Sequence, residues 1–176
     1  MNITHPALTN LRIIGLAGRK GVGKNEAANY LALRGYRRIA LATPMKAAVA
    51  ENDSDILKCG KAPRQLWQLV GTEIGRAIDP EIWIKLLLAR MVAGYKFRGV
   101  ARWAVSDVRF PNEAEAIQQW GGKVIEVRRT AAPTDDTHSS ETSVAQIKAD
   151  WVIHNDGTIQ ELCAELKVAL KELDYA

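Results

Sequence analysis

One short run constrains this chain more than any other: Gly18-Arg19-Lys20-Gly21-Val22-Gly23-Lys24, which fits the pattern G-x4-G-K. It follows Leu11 to Ala17 (LRIIGLA), an apolar, β-branched run of the length of a buried strand. It precedes Lys24 to Arg34, a segment of helical composition that stops before Gly35. Strand, glycine loop and helix in that order is the context the pattern requires. The glycines let successive N–H groups turn inward on one anion, and the helix adds its unpaired first amides and the positive end of its dipole. Gly18, Lys20, Gly21, Val22, Gly23 and Lys24 are therefore expected around a phosphate chain, with the Lys24 charge on its outer phosphates. Asn25 stands where the common pattern has Ser or Thr on magnesium. Its amide oxygen can still ligate a cation or hold the cation's water, so Asn25 is a candidate Mg²⁺ ligand.

The rest of the chain alternates in the same way. Strands are expected at Tyr36–Leu41, Val100–Val108, Lys123–Val127 and Trp151–Ile153. Helices are expected from Thr43-Pro44, from Pro63, from Asp79-Pro80 to about Ala93, over Ala114–Trp120, near Glu141–Lys148, and from Thr158 to about Leu173. Continuously apolar strands separated by helices predict an α/β fold with three layers, α/β/α, around a central, mostly parallel five-stranded sheet. Ligands of such sheets bind beyond the C-terminal ends of the strands.

Composition narrows the alternatives. At 176 residues, with 47% apolar and 25% charged, the chain reads as one globular domain over 1–176. The net charge of +4 is too small by itself to imply nucleic-acid binding. Its distribution says more: residues 11–40 carry seven cations against Glu26, whereas residues 150–176 carry six acids and two lysines. Positive charge therefore gathers around the glycine loop, and no aromatic-basic interleaving recurs along a face. Cys59 and Cys163 form neither a disulfide framework nor a metal-ligand cluster, which favours a reducing cytoplasm. The apolar stretch from Ile82 to Ala93 carries Lys85 and Arg90 and is too short to span a bilayer, so no membrane association is expected.

The strand from Val100 ends in Ser106-Asp107-Val108-Arg109-Phe110-Pro111-Asn112-Glu113. Asp107 at a strand end is placed to orient a magnesium-bound water. Arg109, two residues on, shares its side of an extended chain and can grip a phosphate bidentately. The alternative is an ion pair between the two. Glu113 is either an acid favoured in the first turn of a helix or a substrate contact.

Taken together, IIGLAGRKGVGKNEAANYL, QLVGTEIGRAIDPEIWIKLLL, SDVRFPNEAEAIQQWGGKVIEVRR, THSSE and DWVIHNDGTIQEL resemble the deoxynucleoside monophosphate kinases of bacteriophages, over about residues 11–170. The D-x-R-F-P-N-E run and G-T-E-x-G-R followed by Trp are far more specific than the glycine loop alone. The resemblance implies the P-loop fold of the nucleoside monophosphate kinases, with an acceptor-binding helical region at about 43–95 and a short lid at about 128–141. It implies ATP as phosphoryl donor, a deoxynucleoside monophosphate as acceptor, and Mg²⁺. By position, Gly18, Gly21, Gly23 and Lys24 match the ATP loop. Asp107, Arg109 and Glu113 match the acceptor-site motif, and Gly71, Thr72, Arg76 and Trp83 match the segment lining the acceptor pocket. Arg128 and Arg129 match the start of the lid, where one would close over the moving phosphoryl group, and Asn155 and Gly157 match the turn near the donor base. A homodimer and a host-cytoplasmic location are compatible with this family. The rival readings are another P-loop small-molecule kinase of the dephospho-coenzyme A kinase kind, which the final N-D-G-T turn also resembles, and a nucleotide-binding module without catalysis.

Overall fold

The computed structural model describes residues 5–43, 69–130 and 143–175. Five strands form one sheet: β1 (Arg12–Ala17), β2 (Arg37–Ile39), β3 (Arg102–Val108), β4 (Lys123–Arg128) and β5 (Trp151–His154). The spatial order is β2-β3-β1-β4-β5, and every pairing is parallel. The chain leaves β1 for the edge strand β2, returns to insert β3 beside β1, then crosses to β4. The connections from β1 therefore part company at the sheet centre, where a parallel sheet opens its crevice.

Alternation along the strands feeds two cores. In β1, Ile13 and Ala17 face one side with Trp103, Val105 and Val124; Ile14 and Leu16 face the other with Ala104, Ile125, Val127 and Ile153. The first face is covered by α3 (Ile82–Arg98), through Ile84, Leu87, Leu88 and Met91, and by α4 (Pro111–Gln119), through Ala114 and Ile117. The second is covered by α1 (Lys24–Leu33), through Ala27, Ala28 and Leu31, and by α5 (Ile159–Glu172), through Leu162, Leu166, Ala169 and Leu170. The result is the three-layer α/β/α architecture with a parallel five-stranded sheet. Thr158 opens α5 by accepting the Glu161 N–H, while the Glu161 side chain reaches back to the Thr158 N–H, a reciprocal cap.

Several boundaries differ from expectation. The helix expected to stop near Ala93 continues through Gly94 to Arg98. Gly94 is an accommodation, not a stop: a Cβ there would meet the Trp103 ring at 2.5 Å. The helix ends where Gly99 takes φ +63° and its N–H bonds to Tyr95 O, with Lys96 and Arg98 in the last turn beside the negative dipole end. The helix expected from Ala114 starts at Pro111, since proline suits the first helical position. The helix expected over Glu141–Lys148 is a 3-10 turn, Ser143–Gln146, in the described part. A 3-10 turn at Pro6–Asn10, which no periodicity announced, puts Leu8 into the first core. Val70, Gly71 and Thr72 lie in a π-helical turn, Leu69–Ile74, that runs into the short α2 (Gly75–Ile78). The helix starting at Pro44, the start of that at Pro63, Cys59 and residues 131–141 of the lid expected at about 128–141 fall outside the described residues.

Candidate active site

The glycine loop leaves β1 with Gly18, Gly21 and Gly23 at φ +139°, +81° and +103°, backbone that side-chain-bearing residues rarely adopt. Val22 is buried among α1, α5 and the sheet, and so anchors the loop from below. Gly23 is the N-cap of α1 and offers no side chain to its first amides. Lys24, the first residue of α1, curls back over the loop, its ammonium donating to Gly18 O and Arg19 O at 2.5 Å each. Lys20 is exposed at the loop's outer edge. The glycine loop, the uncapped start of α1 and Lys24 are thus adjacent, a combination of groups suited to an anion.

Asn25 is exposed on the next position, and its Oδ1 accepts from the Arg38 guanidinium at 3.3 Å. Arg38, on β2, also donates to Asn29 Oδ1 at 2.6 Å. Sequence reading passed over Arg38.

At the end of β3, both Asp107 oxygens face backbone: Oδ1 accepts the Leu41 N–H at 2.7 Å and Oδ2 the Ala42 N–H at 3.0 Å. Asp107 therefore ties the exit of β2 to the exit of β3. Arg109 is half-buried two residues on. Its own N–H, with that of Phe110, donates to Glu113 Oε2, at 2.8 and 3.1 Å. Glu113 is buried, and its other oxygen receives the Arg76 guanidinium from α2. Arg76 also donates to Pro80 O and Asn112 Oδ1, at 3.2 and 3.4 Å, and lies 3.8 Å from the Phe110 ring centroid. Burial pushes the Glu113 carboxyl up to about 7, against the opposing pull of Arg76 and the Arg109 N–H. Sequence reading missed Phe110 and Asn112 as members of this group, although both lie in the run that carried the resemblance. Trp83, in the first turn of α3, is half-buried against the first core. The side chains at 70–72 are outside the described set, so Gly71 and Thr72 are placed by backbone alone.

Arg128 ends β4 with its guanidinium in a two-point pair to Glu126, Nε to Oε1 at 2.9 Å and Nη2 to Oε2 at 2.8 Å. Glu126 is buried, and Arg128 is exposed. An acid in the apolar run Val-Ile-Glu-Val, two residues before an arginine, was the signal for this pair. Arg129 is exposed and close enough to Asp156 for its charge to lower that carboxyl, after the larger effect of the Thr130 hydrogen bonds. Beyond β5, Asn155 is buried and donates from Nδ2 to Val22 O at 2.8 Å. Gly157 follows in the exposed turn, packed so close to the Glu161 carboxylate that a Cβ would collide with it. The structure thus brings the loop, Lys24 and Asn155 into one group and Arg76, Arg109 and Glu113 into another, with Asp107 at the end of β3. Among the described residues no group of three or more His, Cys, Asp or Glu side chains is arranged to hold a metal ion.

Known proteins match this chain in sequence and in fold. The family model described as deoxynucleotide monophosphate kinase matches residues 60–166. A protein of Acanthamoeba polyphaga mimivirus, described as a candidate deoxynucleotide monophosphate kinase, is 33% identical over 180 residues, covering 88% of this chain and 93% of that protein. The deoxynucleotide monophosphate kinase of Enterobacteria phage T4 is 34% identical over 115 residues, which cover 62% of this chain and 46% of the phage protein. Among solved structures, that of TT1252 from Thermus thermophilus superposes with a TM-score of 0.54 at 22% identity, over 93% of this chain and 98% of that one, a likeness of fold. The extent of the family match and the mimivirus alignment together decide the assignment: the chain belongs to the deoxynucleotide monophosphate kinase family.

Proposed function

We propose that this chain transfers the γ-phosphoryl group of ATP to the 5′-phosphate of a deoxynucleoside monophosphate, giving a deoxynucleoside diphosphate and ADP. The observation that carries the reading is the meeting, at the C-terminal edge of one sheet, of two features. One is the glycine loop with Lys24 at the end of β1; the other is the Asp107–Arg109–Glu113–Arg76 group around the end of β3, its neighbour. The family match supports the substrate class.

An oxygen of the acceptor phosphate attacks the γ-phosphorus, and the bond to the β–γ bridging oxygen breaks as ADP leaves. A phosphate monoester is largely ionised at neutral pH, so no side chain has to remove a proton first. The difficulty is bringing two polyanions together in line, and catalysis rests on positioning and charge. Lys24 and the loop amides hold the donor phosphates. Arg109 holds the acceptor phosphate, while Arg76 shapes the acceptor pocket from its seat on Glu113 and Phe110. Arg129 supplies charge to the phosphoryl group in transit, and Arg128, oriented by Glu126, lies beside it. Gly71, Thr72 and Trp83 line the acceptor side; Lys20, Asn155 and Gly157 border the donor.

A magnesium ion bound mainly by phosphate oxygens and water needs only one or two protein oxygens. Asp107 fits that demand as a carboxylate at the C-terminal end of β3, the strand paired with the one that enters the glycine loop. Asn25 Oδ1 already faces the Arg38 cation, so Asp107 is the better holder of the ion's water. The ion, when bound, neutralises charge that develops on the transferring phosphates.

Among the described residues no helix is long and apolar enough to cross a membrane. A host-cytoplasmic location, where ATP and deoxynucleotides are found, belongs to the same proposal.

The test is diphosphate formation from each deoxy- and ribonucleoside monophosphate, with ATP and with and without Mg²⁺. Turnover confined to deoxynucleotides and dependent on both is expected. No phosphoryl transfer to any nucleoside monophosphate by the folded protein would overturn the reading.

A further inference from the structure

The turn after β5, Asn155-Asp156-Gly157, sends its two polar side chains in different directions. Asn155 is buried and reaches inward, its Nδ2 donating to Val22 O inside the glycine loop at 2.8 Å. The fit is close: a Cβ on Gly23 would collide with that same amide nitrogen. Asp156 reaches outward to Thr130, the second residue past β4. Its Oδ1 accepts the Thr130 N–H at 2.7 Å and its Oδ2 the Thr130 hydroxyl at 3.0 Å. A backbone bond, Asn155 N–H to Arg128 O at 2.8 Å, fastens the turn to the end of β4 between these two reaches.

We infer that Asn155 and Asp156 are paired positioning residues: Asn155 sets the shape of the glycine loop through Val22, and Asp156 sets the path of the chain that carries Arg128 and Arg129 through Thr130. This deepens the proposed phosphoryl transfer and rests on it for its kinetic consequences. A hydrogen bond to a loop carbonyl costs little to arrange in advance and fixes the neighbouring N–H groups before an anion arrives, which is how preorganised donors gain their effect. Val22 O needs this partner because the left-handed backbone at Gly21 and Gly23 turns the loop away from helical bonding. Thr130 holds the Asp156 carboxyl below its ordinary range, in keeping with a charged acceptor of two donors. Asn155 thereby works through the loop, not on the donor base.

The experiment combines amide hydrogen exchange on the nucleotide-free chain with binding of ATP and steady-state kinetics. In Asn155→Ala, exchange over residues 18–28 accelerates at least tenfold, and ATP binds roughly tenfold more weakly with the acceptor KM unchanged. Asn155→Leu, which keeps the bulk of the side chain but has no group to donate to Val22 O, behaves like the alanine variant. In Asp156→Ala, the Thr130 amide loses protection and kcat falls, while ATP affinity and exchange over 18–28 stay as in the unaltered chain. Asp156→Asn, which keeps a carbonyl oxygen for Thr130 N–H, recovers most of the loss. Unchanged exchange at both places, or a wild-type-like Asn155→Leu, overturns the inference. If exchange responds as stated but the unaltered chain binds no ATP, the positioning stands and the donor assignment falls.

Discussion

Arg76 and Glu113, 37 residues apart in the chain, form a buried ion pair in which the guanidinium also lies against the Phe110 ring, 3.8 Å from its centroid. The same carboxylate holds the amides of Arg109 and Phe110. One buried acid therefore organises two of the arginines proposed for the acceptor site, Arg76 by its charge and Arg109 by its backbone.

Removing either partner has unequal consequences. Glu113→Ala leaves a largely buried guanidinium and two amides without their acceptor, and should cost about 3–5 kcal/mol. At this chain length that is a fall of about 10 °C in Tm. Arg76→Ala is milder, because Glu113 can take up a proton instead of remaining charged. Thermal unfolding of the two variants, measured at one pH near neutral, checks the order.

Burial of Glu113, which outweighs the opposing pull of Arg76, also makes stability depend on pH. With its carboxyl near 7 in the fold and near 4.5 when unfolded, Glu113 binds a proton in the native chain that the unfolded chain has already released. Its contribution is fully present below the unfolded value and is lost as pH rises through about 7. The stability difference between the unaltered chain and Glu113→Gln should therefore shift by a few kcal/mol against the unaltered chain from pH 4.5 to 7.5. Denaturant titrations across that window read it directly, and a flat difference would contradict it.

Lys24→Ala and Arg109→Ala should each lower turnover by about 10²-fold or more, the loss of a few kcal/mol of transition-state stabilisation. Lys24→Ala should also weaken ATP, whereas Arg109→Ala should raise the acceptor KM. Near-normal turnover in folded Lys24→Ala protein would remove the loop from the mechanism.

Asp107→Asn replaces one of the two oxygens facing Leu41 and Ala42 with an amide donor, so one backbone N–H is left facing a donor. A loss of about 1–3 kcal/mol of stability is expected. Beyond that loss, turnover should need more Mg²⁺ while ATP affinity changes less. A magnesium titration at saturating ATP separates the two effects.

Arg128 and Arg129 should part company when each is changed to alanine. Arg128→Ala strands the buried Glu126 carboxylate and lowers Tm; Arg129→Ala, exposed, leaves Tm within about 1 °C. A fall in kcat of about 10²-fold in Arg129→Ala would then report its charge on the phosphoryl group and nothing structural.

The primary sequence alone carried the order of the five strands and of most helices among the described residues, the glycine loop and the acids and arginines at the strand ends. Those follow from local physics: β-branched apolar runs, glycines at turns, proline at Pro111 and the Thr158 cap each act over a few residues. The extension of α3 past Ala93 to Arg98 is not legible locally, because glycine is a poor helix interior residue, and the Trp103 ring packs against Gly94 only in the folded chain. The commitments of the site residues were illegible for the same reason on a larger scale. Asp107 meets Leu41, Glu113 meets Arg76 and Asn155 meets Val22 across 66, 37 and 133 residues. Such pairs exist only because the sheet sets β3 between β2 and β1 and places β4 and β5 on the far side of β1. Strand order is decided by packing both faces of the sheet at once, which no window of sequence contains.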